Sequence, residues 1–82
     1  MTKPTFRHAP PSNGRYQMLA YTNPSQAIEY FIPAKNDAAA IKACKFEADY
    51  ACRDFVIVRD GSGRVIYDGP AHDRVLVRGI AA

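Results

Sequence analysis

Between Asp37 and Ala51 the chain reads DAAAIKACKFEADYA, rich in alanine and free of glycine and proline. Alanine is the best helix former, so this run predicts a helix, and Asn36 or Asp37 can cap its start by accepting a backbone N–H. No other stretch of the 82 residues offers a second helix. A chain this short builds one core and buries only about 60% of its unfolded surface. Whatever the lone helix packs against has to come from strands.

Strands are legible on both sides of it. RYQMLAYT (Arg15 to Thr22) and QAIEYFI (Gln26 to Ile32) flank the turn-forming TNPS, and Pro33 closes the second run. DFVIVR (Asp54 to Arg59) and RVIYD (Arg64 to Asp68) flank DGSG. Glycine tolerates the positive φ of hairpin turns and aspartate bonds its own backbone, so DGSG reads as a turn. It does not fit a calcium loop, which needs oxygen ligands at alternate positions and a terminal bidentate glutamate, because Arg64 and Val65 fall where ligands should be. A phosphate loop would require a helix after the glycines, and a strand pattern follows instead.

The expected fold class is therefore α+β: ββαββ, a four-stranded antiparallel sheet made of two hairpins with one helix packed on one face. Strand order is left open. The proline-rich residues 1–14 read as a flexible lead, 15–69 as the domain, and 70–82 as a tail in which Arg74 to Arg78, RVLVR, could form a short edge strand.

The combination NDAAAIKACKFEA then FVIVRDGSGRVIYDG, preceded by a hairpin, resembles a plan found among small uncharacterised alphaproteobacterial proteins. The resemblance spans Arg15 to Gly69 and implies a bacterial ββαββ protein with no known activity and no catalytic residues to carry over. The TNPSQ turn departs from that plan, which has a D-G turn at this point.

Charge and cysteines narrow the function classes. The net charge is +3, yet Arg15 to Gly69 holds seven bases and seven acids, so the excess lies in the ends, at Lys3 and Arg7 and at Arg74 and Arg78. A surface built to neutralise phosphates concentrates its lysine and arginine. Cys44 and Cys52, about 12 Å apart along a helix, are too distant for a disulfide, which suits a reducing compartment. With no apolar run long enough for a membrane span and no secretory apolar block, the cytoplasm is the expected location. Cys44, Cys52, His8 and His72 lack zinc-ligand spacing, and neither histidine sits in a segment that would hold it for catalysis. No enzyme, metal or cofactor is expected.

Apolar side chains occur on both faces of the strands and on more of the helix than one contact stripe requires. On the wheel Ile41, Cys44, Ala48 and Cys52 form one side and Ala39, Ala43, Phe46 and Tyr50 another. One helix covers one face of a sheet, so the other must be covered by the tails or by a partner. The candidate interaction face is Leu19, Tyr21, Phe31, Phe46 and Tyr50, and the expected state is a homodimeric, non-enzymatic interaction module whose protein partner the sequence does not name. The alternative is single-stranded nucleic-acid binding, with Tyr16, Tyr21, Phe31 or Tyr67 stacking bases beside Arg59, Arg64, Arg74 and Arg78.

Overall fold

In a computed structural model, residues 3–11 and 14–72 are described. The four strands are β1 (Arg15–Tyr21), β2 (Ile28–Pro33), β3 (Phe55–Arg59) and β4 (Val65–Pro70), with one helix, α1 (Asp37–Tyr50). They form one antiparallel sheet in the order β2-β1-β3-β4. This is the ββαββ plan expected from the sequence. The hairpins lie side by side because β1 pairs with β3, Met18 opposite Val58 and Ala20 opposite Val56. The chain leaves edge strand β2, crosses over the sheet as α1, and returns on the far side of β1.

Each local device has a readable cause. Asn36 Oδ1 accepts the Ala39 N–H at 2.8 Å, which satisfies one of the unpaired donors at the helix start. Asp37 then places a carboxylate against the positive end of the helix dipole and accepts the Tyr16 hydroxyl at 2.7 Å, tying α1 to β1. At the far end the Cys52 N–H donates to the Asp49 carbonyl at 2.9 Å and the Arg53 N–H to the Ala48 carbonyl at 2.8 Å. That is a Schellman termination with Cys52 at φ 61° in the left-handed region. Cys52 is therefore exposed and outside the helix, not part of the apolar side with Cys44.

The two short connections are also specified by side chains. Asn23 Oδ1 accepts the Ser25 N–H at 3.0 Å and opens a single 3-10 turn, Pro24–Gln26, so β2 begins at Ile28. In DGSG, Asp60 Oδ1 accepts the Ser62 N–H, the Ser62 hydroxyl and the Arg64 N–H, while Gly63 supplies φ 94°. These glycines and aspartate turn the chain.

The main core lies between α1 and the sheet. Ala40, Cys44 and Ala48 pack on Tyr16, Met18, Ala20, Val56 and Val58. Alanines along the contact stripe let the helix sit close to the sheet, so β-branched and methionine side chains below fill the space. Ala71 joins this core and its N–H donates to the Asp54 carbonyl at 2.8 Å, which carries the order past Pro70 into residues first assigned to the tail.

Candidate functional site

Residues 3–11, expected to be a flexible lead, lie across the second face of the sheet. Phe6 packs on Leu19, Tyr21 and Ile57. Leu19 is consequently 1% exposed and Tyr21 is buried, which corrects their assignment to an open interaction face. The physical reason is that a nine-residue extended segment carries one aromatic group, enough to shield the small apolar centre of this face.

Around Phe6 the contacts are polar and directional. Glu29 on β2 accepts the Arg7 N–H at 2.9 Å and the His8 N–H at 3.0 Å, one at each carboxylate oxygen. His8 Nδ1 lies 3.0 Å from the same carboxylate, and its ring meets Phe31 edge-on at 6.3 Å. Gln17, fully buried on β1, donates through Nε2 to Glu29 and to the His8 carbonyl, and accepts from Arg59 Nε through Oε1. Arg59 Nη2 also donates to the His8 carbonyl, and its guanidinium covers the Phe6 ring. Burial alone would raise the Glu29 carboxyl, but the Arg7 and His8 N–H groups and the His8 ring hold it below the usual range. Further along, Lys3 Nζ bonds Asp68 at 2.8 Å.

A second site candidate runs along the open edge of the sheet. Strand β2 ends the sheet, with one side of its backbone unpaired among the described residues. Between it and α1 lies a groove of about 300 Å³ lined by Tyr30, Phe31, Ile32, Pro33, Ala43 and Glu47. Tyr50 follows Ala43 by seven residues and so sits roughly 20° away around the helix, with Phe46 on the same flank. Phe46 and Tyr50 are stacked at 6.3 Å and are 66% and 80% exposed. Tyr30 and Phe31 are about half exposed. The structure thus separates the five predicted interaction residues: Leu19 and Tyr21 go beneath the lead, Phe31 stands beside His8 on that same second face, and Phe46 and Tyr50 are on α1, on the side of the sheet that Tyr30 faces.

The residues proposed for nucleic acid are mostly engaged within the chain. Arg59 is held by Gln17, Phe6 and the His8 carbonyl. Arg64 reaches Asp60 at 3.3 Å and Asp37 at 3.4 Å. Arg74 and Arg78, with the RVLVR segment, lie outside the described residues. Tyr16 is buried against Asp37, and Tyr67 donates to the Pro70 carbonyl at 2.6 Å beneath Lys45. Tyr21 is covered, and Phe31, though half exposed, already meets the His8 ring edge-on.

His72 approaches Asp54 at 3.5 Å and Asp49 at 3.9 Å near the end of α1, far along the chain from His8 on the opposite face. Among the described residues no group of three or more His, Cys, Asp or Glu side chains is placed to hold a metal ion, and no helix is long and apolar enough to cross a membrane. Phe6, Gln17 and Glu29 escaped sequence reasoning. The available signal was Gln17 and Glu29, polar residues set among apolar ones on one face of a hairpin, but nothing local connects them to a phenylalanine in a proline-rich segment. Comparison with known proteins finds no matching family model, no matching curated protein and no matching solved structure.

Proposed function

We propose that this chain is a small non-enzymatic protein-interaction module that self-associates as a two-fold dimer through its open β2–α1 edge. The observation that carries the reading is apolar exposure at and beside the edge strand: Tyr30, Phe46 and Tyr50 on the helix side and Phe31 on the other are four of the six exposed large hydrophobic residues among those described. The lead covers the centre of the second face but leaves Phe31 and Phe55 partly exposed there, so the largest apolar exposure is that of Phe46 and Tyr50 on α1, and exposed apolar patches of this kind mark interaction sites. The β2 edge is flanked by aromatics, and a two-fold axis perpendicular to β2 would pair the two edges antiparallel, each copy supplying both edge and aromatics. The opposite edge is less suited to pairing, because β4 ends in Gly69 and Pro70 and is irregular where it faces Val58 and Arg59.

Light scattering at tens of micromolar tests this directly. The native chain is expected to show twice the mass of one chain, and the double variant Phe46→Lys/Tyr50→Lys the mass of one, with a native circular-dichroism spectrum and a melting temperature that, unlike the native chain's, does not rise with protein concentration. A single-chain mass for the native protein would overturn the proposal. Single-stranded nucleic-acid binding has weaker support, since the arginines beside the sheet are committed to internal partners. Salt-sensitive retention on heparin that disappears in Arg59→Gln would favour it instead.

A further inference from the structure

The lead is held on the second face in the way a receptor holds an extended peptide. One side chain, Phe6, enters an apolar seat made by Leu19, Tyr21 and Ile57. The next two residues are held through their main chain: the Arg7 and His8 N–H groups point at the two oxygens of Glu29, and the His8 carbonyl accepts from Arg59 and Gln17. Gln17, with no exposed surface, fixes both the acceptor and the donor by bonding Glu29 through its nitrogen and Arg59 through its oxygen. These three side chains come from β2, β1 and β3, so the reading atoms form a row across a rigid sheet.

From this geometry we infer that the second face is a receptor for an extended peptide carrying an aromatic residue followed by two residues with free backbone N–H groups, and that the chain's own lead occupies it as a displaceable internal ligand. Proline at either position after the aromatic lacks the N–H that Glu29 accepts and is excluded. The contacts depend on residues 6–8 and not on their connection to β1, so a separate peptide can reproduce them. A permanent cover has no need of an ionic centre: well-packed apolar residues in place of a charged set commonly stabilise as well or better. Half-buried charges aimed at main-chain groups, as Glu29 and Arg59 are, select a conformation and a register instead. The lead competes from an effective concentration on the order of millimolar, as expected for a short tether. An outside peptide therefore binds in proportion to the fraction of chains whose lead is open. This inference does not require the dimer proposed above, but the two share β2, which supplies Glu29 to the receptor and the free edge to the dimer.

The test is fluorescence anisotropy with a labelled synthetic peptide, KPTFRHAPP, matching residues 3–11, against the full-length chain. Phe6→Ala, which loosens the internal ligand but leaves the receptor intact, is expected to bind the peptide about tenfold more tightly than the native chain does. The same peptide with its phenylalanine replaced by alanine should not bind, and adding Glu29→Gln to the Phe6→Ala chain should weaken binding by about tenfold. A folded Phe6→Ala chain that fails to bind at millimolar peptide, or that binds the alanine peptide equally well, overturns the inference. If Phe6→Ala does not fold, Arg7→Pro opens the lead by removing a single N–H, and the same outcomes decide. Should neither variant fold, the native chain is titrated to millimolar peptide: displacement shifts the amide NMR resonances of Arg7 and His8, and unchanged resonances overturn the inference.

Discussion

The guanidinium carbon of Arg59 lies 4.0 Å from the centre of the Phe6 ring, so the arginine at the end of β3 presses the lead onto the sheet. This contact joins residues 53 positions apart in sequence, 59 minus 6, and covers the apolar seat beneath. Replacing Phe6 by alanine removes part of a large side chain's burial together with the cation–π contact. A loss of about 2 kcal/mol is expected in urea unfolding, with Arg59→Lys costing about 1 kcal/mol because lysine cannot bond Gln17 and the His8 carbonyl as a planar fork does. Equal stabilities for native and Phe6→Ala chains would show that the lead contributes nothing to the fold.

Acid should weaken the protein through two carboxylates. Bonds from the Ser62 hydroxyl and from the Ser62 and Arg64 N–H groups lower Asp60 from 3.8 to about 2, and Glu29 is also lowered from 4.5. A group whose pKa is depressed by folding stabilises the native state while ionised, above its unfolded value. That contribution is lost as pH falls through the folded value, here from about pH 5 toward pH 2. Urea midpoints measured over this window should fall for the native chain and fall less steeply for Asp60→Asn. Parallel curves would mean the turn carboxylate is not coupled to folding.

The cysteines should report their opposite environments. Cys52 is exposed at the helix terminus, while Cys44 is fully buried under α1 and its thiol is pushed up from 9.0 to about 12, first by burial and then by Glu47. A thiol reagent at neutral pH is expected to modify one group per chain quickly and the second only in urea. Because folding raises the Cys44 value, the native state keeps a proton that the unfolded chain releases above about pH 9. Stability therefore falls with rising pH there, and it should fall less in Cys44→Ala. Rapid modification of both thiols would place Cys44 outside the core.

What could be read from the sequence was local. The Asn36 cap, the DGSG turn and the glycine-free helix each rest on neighbours within a few residues, and the hairpins follow from runs of β-branched residues next to turn formers. The order β2-β1-β3-β4 depends on Met18 meeting Val58 across roughly forty residues, which no local pattern encodes. Two of the five residues of the candidate face, Leu19 and Tyr21, were misread for a related reason. Counting apolar residues on both sides of the strands correctly shows that the second side needs a cover, but Phe6 sits in a segment with no periodicity, and its seat exists only after β1 and β3 have paired. Phe46 and Tyr50 were legible because helical spacing alone puts them off the contact stripe.

Cys52 offers a site where the backbone conflicts with its residue. It occupies the position after the helix cap, at φ 61°, and both Schellman hydrogen bonds require that left-handed conformation. An L-residue there costs roughly 1–2 kcal/mol, whereas glycine adopts it freely but loses about 0.5–1 kcal/mol more conformational entropy on folding. The difference favours glycine, so Cys52→Gly should stabilise the fold by about 0.5–1 kcal/mol and raise the melting temperature by roughly 2–6 °C for a domain of this size. Cys52→Val should lower it, since a β-branched side chain crowds the left-handed region most. Because Cys52 is exposed and packs in neither core cluster, the two changes act through the backbone alone. Calorimetry that finds Cys52→Val no less stable than Cys52→Gly would mean that α1 does not end in the left-handed turn.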